Sequence, residues 1–310
     1  MSTEPGWVGI ISHSDSLCDL IRRMAPPKGL CLSKVMTVGE KGDPRSADLV
    51  YDLAHDPVTG LVGLYLERFE EGAGLLKALR AACLEKPVVL WDAGWTSEGG
   101  RAVPSQAGAL AAGQRILEGA LRQTGAISVQ GWEAWVDALV ACSLLPGNLG
   151  DRMAIISGPG GLAVSAAEAC GREGLRLAGI SEHTRDRLAS IVPPTGTSLR
   201  NPIDVGLSAS LDMDIYNETA RAVASDPGVD AVVVIGRGLS PEANRSYTER
   251  LIQTRKETTK PFLMVKIPGF DVELVRAFTS AGIPFFESAE RAMRAYGLVR
   301  RYQAWRNVRS

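Results

Sequence analysis

Short apolar runs alternate with longer amphipathic segments throughout this chain, and that alternation limits the possible folds more than any other feature. In the first half, strands are predicted at residues 7–11, 31–38, 61–66, 88–91 and 127–129, and helices at 17–24, 46–54, 71–83, 114–123 and 132–145. A strand buried on both faces has a continuous apolar sequence. The alternation therefore predicts an α/β fold with parallel strands covered by helices on both faces.

The segment 146–150, Pro-Gly-Asn-Leu-Gly, is the clearest break in the pattern, which restarts at residue 153 with a new strand, a Gly-rich turn and a helix. Later strands are predicted at 203–205, 231–235, 262–266 and 283–286, and helices at 162–173, 182–191, 211–224, 241–256, 272–281 and 289–306. We therefore predict two tandem flavodoxin-like (Rossmann-like) domains with doubly wound parallel sheets, at 1–146 and 151–310. Ligands of such sheets bind at the carboxyl ends of the strands.

Charge and cysteine usage exclude several classes of function. The net charge is −1, so no chain-wide basic field favours nucleic acid or an anionic membrane. The five cysteines are scattered without a C-x-x-C pair, which favours buried free thiols in a reducing compartment over a disulfide scaffold or a zinc site. With three histidines and no signal-peptide pattern at the N-terminus, we expect a cytoplasmic protein without a metal centre.

A loop of small residues at 103–113 follows the strand at 88–91 and runs into a helix. Small residues allow backbone N–H groups to approach a ligand closely, and a helix N-terminus favours an anion. The same composition also suits a loop that only packs tightly against a sheet, so the pattern leaves both interpretations open.

Landmarks in both halves carry a resemblance to a known family. The loop 103–113 resembles the Ser-His-x-Gly-Ser-Leu-Ala-Gly loop of the NDP-forming acyl-CoA synthetases, which are relatives of the succinyl-CoA synthetase α subunit. Five other landmarks match that family in order: Ile-Ser-His-Ser-Asp-Ser-Leu at 11–17, Leu-Tyr-Leu-Glu at 64–67, Lys-Pro-Val-Val at 86–89, Ser-Gly-Pro-Gly-Gly at 157–161 and Asn-Pro-Ile-Asp-Val at 201–205. The resemblance extends from Trp7 to the last predicted helix.

The resemblance implies a catalytic loop whose central residue has changed. In the family, the loop histidine carries a phosphoryl group between an acyl phosphate and a nucleotide, and this chain has Gln106 there. A glutamine cannot form the phosphoramidate that an imidazole forms, so we predict no phosphorylation at this position. Glu67 matches the carboxylate that braces the phosphohistidine, and it is interpreted either as a polar partner of Gln106 or as a helix cap. Asp15 and Asp92 replace a frequent Gly and Lys, and Trp95 a frequent Arg.

Candidate site residues follow from the same match. His13, in the first turn, is a candidate acid, base or phosphoryl carrier, or simply a residue at a variable position beside a helix cap. Asp15 is a candidate base or a plain helix cap. The predicted substrate- or phosphate-binding residues are Ser12, Ser14, Asp15, Ser105 and Gly108 in the first domain and Ser157, Gly158, Gly160, Gly161 and Asn201 in the second, near Asp204. Alternatively, the second turn needs its glycines only for backbone reasons. Trp91 and Trp95 are candidates for lining a pocket, and Trp132 and Trp135 for core packing.

The resemblance implies a diverged subunit of an acyl-CoA synthetase (CoA ligase) complex. The family's CoA-binding and ATP-grasp domains are expected on separate chains, so CoA, acyl-CoA and nucleotide are expected to act only through partners, with no covalently bound cofactor. A homo-oligomer is the other assembly expected. The substrate is expected to be a small acyl or carbamoyl compound. The alternatives are a subunit similar to the FdrA-like carbamoyltransferases and a non-catalytic binding or assembly protein.

Overall fold

The computed structural model of the chain divides into two units by contacts, residues 2–143 with 301–310 and residues 144–300. The structure describes residues 7–39, 45–67, 72–93, 98–99, 111–194, 197–206, 209, 211–236, 239–267 and 271–309. Each unit is an α/β domain whose described strands are all parallel, as the alternating sequence predicts.

The first unit has a five-stranded sheet in the order β2-β1-β3-β4-β5. Its strands are β1 (Val8–Ser12), β2 (Leu32–Thr37), β3 (Leu61–Leu66), β4 (Val88–Asp92) and β5 (Ile127–Val129), and its described helices are α1 (Asp15–Met24), a 3-10 turn (Pro26–Lys28), α2 (Ser46–His55), α3 (Gly72–Glu85), α4 (Ala111–Thr124) and α5 (Trp132–Leu144). This is the flavodoxin-like order: β2 is added on one side of β1, and β3, β4 and β5 are added on the other side, so the strand order reverses between β1 and β3.

The second unit has a six-stranded sheet in the order β11-β10-β9-β6-β7, with β8 also paired to β6. The strands are β6 (Arg152–Ser157), β7 (Arg176–Leu177), β8 (Ile203–Asp204), β9 (Ala231–Ile235), β10 (Phe262–Val265) and β11 (Phe285–Phe286), and the helices are α6 (Gly160–Arg172), α7 (Glu182–Ile191), α8 (Asp214–Ser225), α9 (Pro241–Lys256), α10 (Val272–Ser280) and α11 (Ala289–Asn307). The carboxyl ends of both sheets therefore face βα turns.

Local sequence explains where α1 begins and ends. Ser14 is its N-cap, and its hydroxyl oxygen accepts the N–H of Leu17 at 3.3 Å. Asp15 stands in the first turn, and Arg22 and Arg23 in the last, charges that complement the helix dipole. Pro26 follows at once, in a 3-10 turn, because proline cannot continue the hydrogen-bond ladder.

Two predicted elements start later than expected, for local reasons. The helix predicted from residue 211 begins at Asp214, because a side-chain oxygen of Asp212 accepts the Asp214 N–H at 3.1 Å and holds a turn there. The strand predicted from residue 283 begins at Phe285, because the Ile283 N–H bonds to the Phe278 carbonyl at 2.9 Å instead of joining the sheet.

The last ten residues group with the first unit. The Tyr302 hydroxyl donates to the Cys83 carbonyl at 2.9 Å, and the Trp305 ring lies directly over Gly125, where a Cβ would be 2.5 Å from it. All five cysteines are free; three are buried, but Cys31 is exposed, so the expectation of buried thiols fails there. No helix in the described part of the chain combines the length and the apolar character that a membrane-spanning helix needs.

Candidate functional site

The turn between β1 and α1 is held by its own serine hydroxyls. Ser12 is buried, and its Oγ donates to the Ser14 carbonyl at 2.9 Å and accepts the Ser14 N–H at 3.0 Å. The Ser14 hydroxyl caps the helix and also contacts that of Ser16 at 3.0 Å. Asp15 is exposed in the first helical turn. The two serines predicted to bind a substrate or phosphate therefore already have structural hydrogen bonds.

His13 joins three elements at the carboxyl end of the first sheet. Its Nδ1 accepts the Glu67 peptide N–H at 3.2 Å, and its Nε2 lies 2.9 Å from the hydroxyl of Ser46, the first residue of α2. A peptide N–H can only donate, so Nδ1 must carry a lone pair and Nε2 the proton. Both ring nitrogens of His13 are thus engaged, and this neutral imidazole ties the β1 turn to the end of β3 and to α2.

Glu67 stands directly after β3 and is half-buried. The Tyr65 hydroxyl donates to its Oε1 at 2.9 Å, and its peptide N–H is held by His13. Burial and the Glu67 carboxylate raise the pKa of the Tyr65 phenol, so this hydroxyl stays a donor. The structure brings His13 and Glu67 together at the carboxyl ends of the adjacent strands β1 and β3. Ser105, Gln106 and Gly108, with Trp95, lie outside the described residues.

Asp92, the last residue of β4, is buried to 5% exposure. Its side chain has no hydrogen bond or ion pair to any part of the chain that the structure describes. Burial raises its pKa from 3.8 to about 7. A carboxyl group of this kind is proton-bearing near neutral pH and can donate a hydrogen bond or a proton.

The Gly-rich turn of the second unit connects β6 to α6. The buried Ser157 hydroxyl donates to the Pro159 carbonyl at 2.9 Å, and α6 begins at Gly160 without a side-chain cap. Within the described residues, the peptide N–H groups of Gly160 and Gly161 have no acceptor. Unpaired donors at the start of a helix are the groups that bind anions.

The three glycines of that turn differ in how much room they leave for a side chain. A Cβ on Gly158 would lie 2.2 Å from the Tyr216 hydroxyl, and one on Gly160 3.0 Å from the Asp204 carboxylate, whereas one on Gly161 would meet nothing within 4 Å. Gly158 is therefore needed for packing. Gly161 faces open space, so only there does the absence of a side chain leave room for a ligand.

Asn201 has a structural position that its motif did not reveal. Its Oδ1 accepts the Ile155 N–H at 2.9 Å, and its Nδ2 donates to the carbonyls of Met153 at 2.7 Å and Ala178 at 3.0 Å. The edge of β6 is paired with β7 at one end and with β8 at the other, and the Asn201 amide fills the gap between them. Its hydrogen-bonding groups are occupied in the middle of the strand, away from the turn at Ser157.

Sequence reasoning missed Tyr216 and Ser46. Tyr216 lies fully buried under Gly158 and Gly236, the residues that follow β6 and β9, and Ser46 supplies the partner of His13. In the sequence, Tyr216 occupies an ordinary apolar position of α8, and Ser46 occupies an ordinary first position of a helix. Neither pattern carries a signal that could have identified the contact.

Comparison with known proteins agrees with this architecture. Residues 5–142 match the family described as the succinyl-CoA ligase-like flavodoxin domain. The chain is 30% identical over 303 residues to the acetate–CoA ligase [ADP-forming] II subunit alpha of Pyrococcus furiosus, covering 95% of this chain and 65% of that subunit. It is 26% identical over 312 residues to the 4-hydroxybutyrate–CoA ligase [ADP-forming] of Nitrosopumilus maritimus, covering 98% of this chain and 44% of the ligase.

A solved structure shares both units. The apo form of the dinucleotide-forming acetyl-coenzyme A synthetase 1 of Candidatus Korarchaeum cryptofilum matches with a TM-score of 0.81 and 26% identity, over 98% of this chain and 66% of that chain. The chain thus spans between 44% and 66% of the lengths of these relatives. The relatives match nearly the whole chain, and the family model matches its first unit. The chain therefore belongs to the NDP-forming acyl-CoA synthetase family.

Proposed function

We propose that this chain is a component of a complex that joins a small carboxylic acid to coenzyme A at the expense of a nucleoside triphosphate. The observation that supports it is the turn at Gly160 and Gly161, where two peptide N–H groups at the start of α6 have no acceptor among the described residues and a Cβ on Gly161 would meet open space. The family places a phosphoryl station at this turn. The nucleotide and CoA sites of the complex are proposed to lie on separate ATP-grasp and CoA-binding chains.

In this proposal, the first unit positions a carboxylate rather than a phosphohistidine. His13 fixes the Glu67 backbone, and Tyr65 fixes one oxygen of its side chain. His13 serves as a positioning residue, because both of its nitrogens are engaged. It is therefore proposed neither as a phosphoryl carrier nor as the acid or base.

The proposed chemistry avoids a phosphorylated residue at Gln106. The carboxylate of the acid attacks the terminal phosphoryl group of the nucleotide, which leaves a nucleoside diphosphate and an acyl phosphate. The thiol of CoA then loses its proton to solvent, and the resulting thiolate attacks the acyl carbon; the C–S bond forms, the C–O bond to phosphate breaks, and inorganic phosphate departs. The α6 N-terminus would hold the phosphate group through both steps.

Reconstitution tests the proposal. The chain is purified from its source organism together with the ATP-grasp and CoA-binding chains that accompany it, and acid-dependent formation of acyl-CoA and nucleoside diphosphate is measured. We expect both products in equal amounts. Absence of acid- and CoA-dependent turnover in that complex would contradict the proposal.

A matched pair of glycines tests the phosphate station. In Gly161→Ala, the added methyl group enters the open space beside Gly161, at the turn whose peptide N–H groups are proposed to hold the phosphate. Gly171→Ala makes the same change in open space at the other end of α6. We expect phosphate binding and turnover to fall in the first variant only. Equal binding in both variants would remove the turn from the mechanism.

A second candidate function is transfer of a carbamoyl or acyl group without a nucleotide, as in FdrA-like components. Asp92 favours it, because a buried carboxyl that has no partner among the described residues stands where the family frequently has a lysine. A proton-bearing carboxyl can donate a hydrogen bond to the carbonyl oxygen of a neutral carbamoyl group, which a lysine replacing it would not be selected to do. Phosphate-dependent cleavage of a carbamoyl compound to carbamoyl phosphate, in the absence of any nucleotide, would support this function. A chain that binds only a partner protein and no phosphate, CoA or acyl-CoA would instead be an assembly protein.

A further inference from the structure

The strand order of the second sheet reverses at β6. One edge of β6 pairs with β7 and β8, and the other edge pairs with β9, so the switch point of this sheet lies between β6 and β9. Ser157 pairs in register with Ile235, so the residues that follow them, Gly158 and Gly236, are neighbours at the carboxyl end of the sheet. Ligands of doubly wound sheets bind in the crevice at such a switch point.

The side chain of Tyr216 ends at this switch point. Tyr216 lies on α8 and is only 1% exposed. Its hydroxyl oxygen lies 2.2 Å from the point where a Cβ of Gly158 would stand, and its ring atoms Cε1 and Cζ lie 2.2 Å from the corresponding point of Gly236. The two glycines therefore leave the space into which the phenol reaches.

The proton of the Tyr216 hydroxyl has no acceptor among the described residues. The Gly158 N–H bonds to the Ile235 carbonyl at 3.2 Å and is also within reach of the phenol oxygen, but a peptide N–H cannot accept. Burial raises the pKa of the phenol, and the charge of Asp204 adds to this effect, so the hydroxyl keeps its proton. Buried polar groups are normally hydrogen-bonded, so this unused donor points to a ligand at the turn.

Asp204 supplies an acceptor at the same turn. It ends β8, where it pairs in register with Ser157. Its Oδ1 accepts the Gly206 N–H at 2.9 Å. Its Oδ2 accepts no hydrogen bond from the residues that the structure describes, and it lies 3.0 Å from the point where a Cβ of Gly160 would stand. An acceptor-only oxygen thus stands beside the first residue of α6.

We propose that Tyr216 and Asp204 make this turn selective for an oxyanion that carries a proton, hydrogen phosphate, over one that carries none, sulfate. The inference rests on the proposed function, because it takes the anion at the start of α6 to be the phosphate of that reaction. The Tyr216 hydroxyl and the N–H groups of Gly160 and Gly161 donate to three oxygens of the anion. The Asp204 carboxylate accepts a hydrogen bond from the fourth.

The same arrangement suits both phosphate species of the proposed reaction. The oxygen that carries the proton in hydrogen phosphate corresponds to the oxygen that carries the acyl group in the acyl phosphate. In both species, Asp204 therefore faces the oxygen with the least negative charge. Sulfate has no proton near neutral pH, so the carboxylate would face a charged oxygen and repel it.

Isothermal titration of the full chain with phosphate, arsenate and sulfate tests the inference. Arsenate is larger than phosphate but also carries a proton, so it separates the effect of protonation from that of size. From the strength of a hydrogen bond to a charged group, we expect phosphate and arsenate to bind about tenfold to a hundredfold more tightly than sulfate. Equal affinity for phosphate and sulfate, or arsenate that binds as weakly as sulfate, would overturn the inference.

Two variants assign the selectivity to the two side chains. Asp204→Asn replaces the acceptor-only carboxylate with an amide that also donates, and it should bring the phosphate and sulfate affinities to within about threefold of each other. Tyr216→Phe removes only the hydroxyl, and it should weaken the binding of both anions by about threefold to tenfold. Full selectivity in Asp204→Asn, or unchanged phosphate affinity in Tyr216→Phe, would overturn the inference.

Two control variants make the same chemical changes away from the turn. Tyr296→Phe removes a buried hydroxyl that donates to the Gly150 carbonyl at 2.9 Å, just before β6 and so at its opposite end. Asp186→Asn changes an exposed aspartate of α7. Neither should alter the affinity for phosphate or sulfate. A loss in Tyr296→Phe as large as that in Tyr216→Phe would contradict a binding role for the Tyr216 hydroxyl.

The titrations of the unmodified chain decide the selectivity even if a variant does not fold. The assay of acyl-CoA formation separates the two proposals. Acyl-CoA formation by a complex whose chain binds phosphate and sulfate equally would refute the selectivity alone. Selective phosphate binding without any acyl-CoA formation would refute the ligase function alone.

Discussion

Replacing Asp92 by Asn removes a buried ionisable group without changing the shape of the side chain. The folded pKa of about 7 lies above the value of 3.8 for a solvated carboxyl. Between these two values the folded chain binds more protons than the unfolded chain, so stability falls as the pH rises. The fall begins near pH 4 and levels off above about pH 7, and Asp92→Asn should not show it.

The magnitude follows from the size of the shift. Each pKa unit corresponds to about 1.4 kcal/mol, so the raised pKa of Asp92 destabilises the folded chain by about 4 kcal/mol when the carboxyl is fully ionised. Part of this destabilisation is already present at pH 5, because the unfolded-state carboxyl is ionised there. Between about pH 5 and about pH 8, the wild-type chain should lose about 3 kcal/mol relative to Asp92→Asn.

Urea unfolding at several pH values measures this difference directly. The control is Asp52→Asn, which makes the same change at an exposed aspartate of α2 in the same unit. The reasoning is refuted if the difference between wild type and Asp92→Asn stays constant across that range, or if Asp52→Asn shows the same trend.

Three further substitutions test the other structural assignments by urea unfolding. Asn201→Ala leaves one peptide N–H and two carbonyls at the β6 edge without their partner, and stability should fall by about 2–4 kcal/mol; a fall below about 1 kcal/mol would contradict the bridging role. His13→Phe removes both hydrogen bonds of the imidazole and should cost about 1–3 kcal/mol, part of which His13→Asn should recover; equal losses in the two variants would contradict the assigned tautomer. Gly158→Ala should cost about 1–3 kcal/mol through its clash with Tyr216, whereas Gly161→Ala should leave stability unchanged or slightly raised; the reverse order would contradict the packing at the turn.

Strong local signals made most of the fold predictable. The helices at 182–191 and 241–256 and the strand at 231–235 have the predicted bounds, because each helix begins after a serine N-cap and the strand is a continuous apolar run. The two-residue β7 at Arg176–Leu177 was not predicted, since both residues are exposed and no apolar run marks them. Such an edge strand is created by its neighbour β6 rather than by its own sequence.

The site was predictable in its placement but not in its contacts. Adjacent parallel strands bring His13 and Glu67 together, and this follows from the topology alone. The burial of Asp92 depends on which face of β4 it occupies, and the role of Asn201 depends on a gap between two short strands. Both are consequences of three-dimensional register, which a motif does not encode.

The central claim is that acyl-CoA formation proceeds without a phosphorylated residue at Gln106. Intact-mass spectrometry of this chain, quenched during turnover of the reconstituted complex, tests it most directly. We predict that acyl-CoA accumulates while the mass of the chain stays unchanged, and that Gln106→His gains the mass of one acid-labile phosphoryl group. A phosphorylated form of the unmodified chain that appears with nucleotide and disappears on addition of acid and CoA would contradict the account.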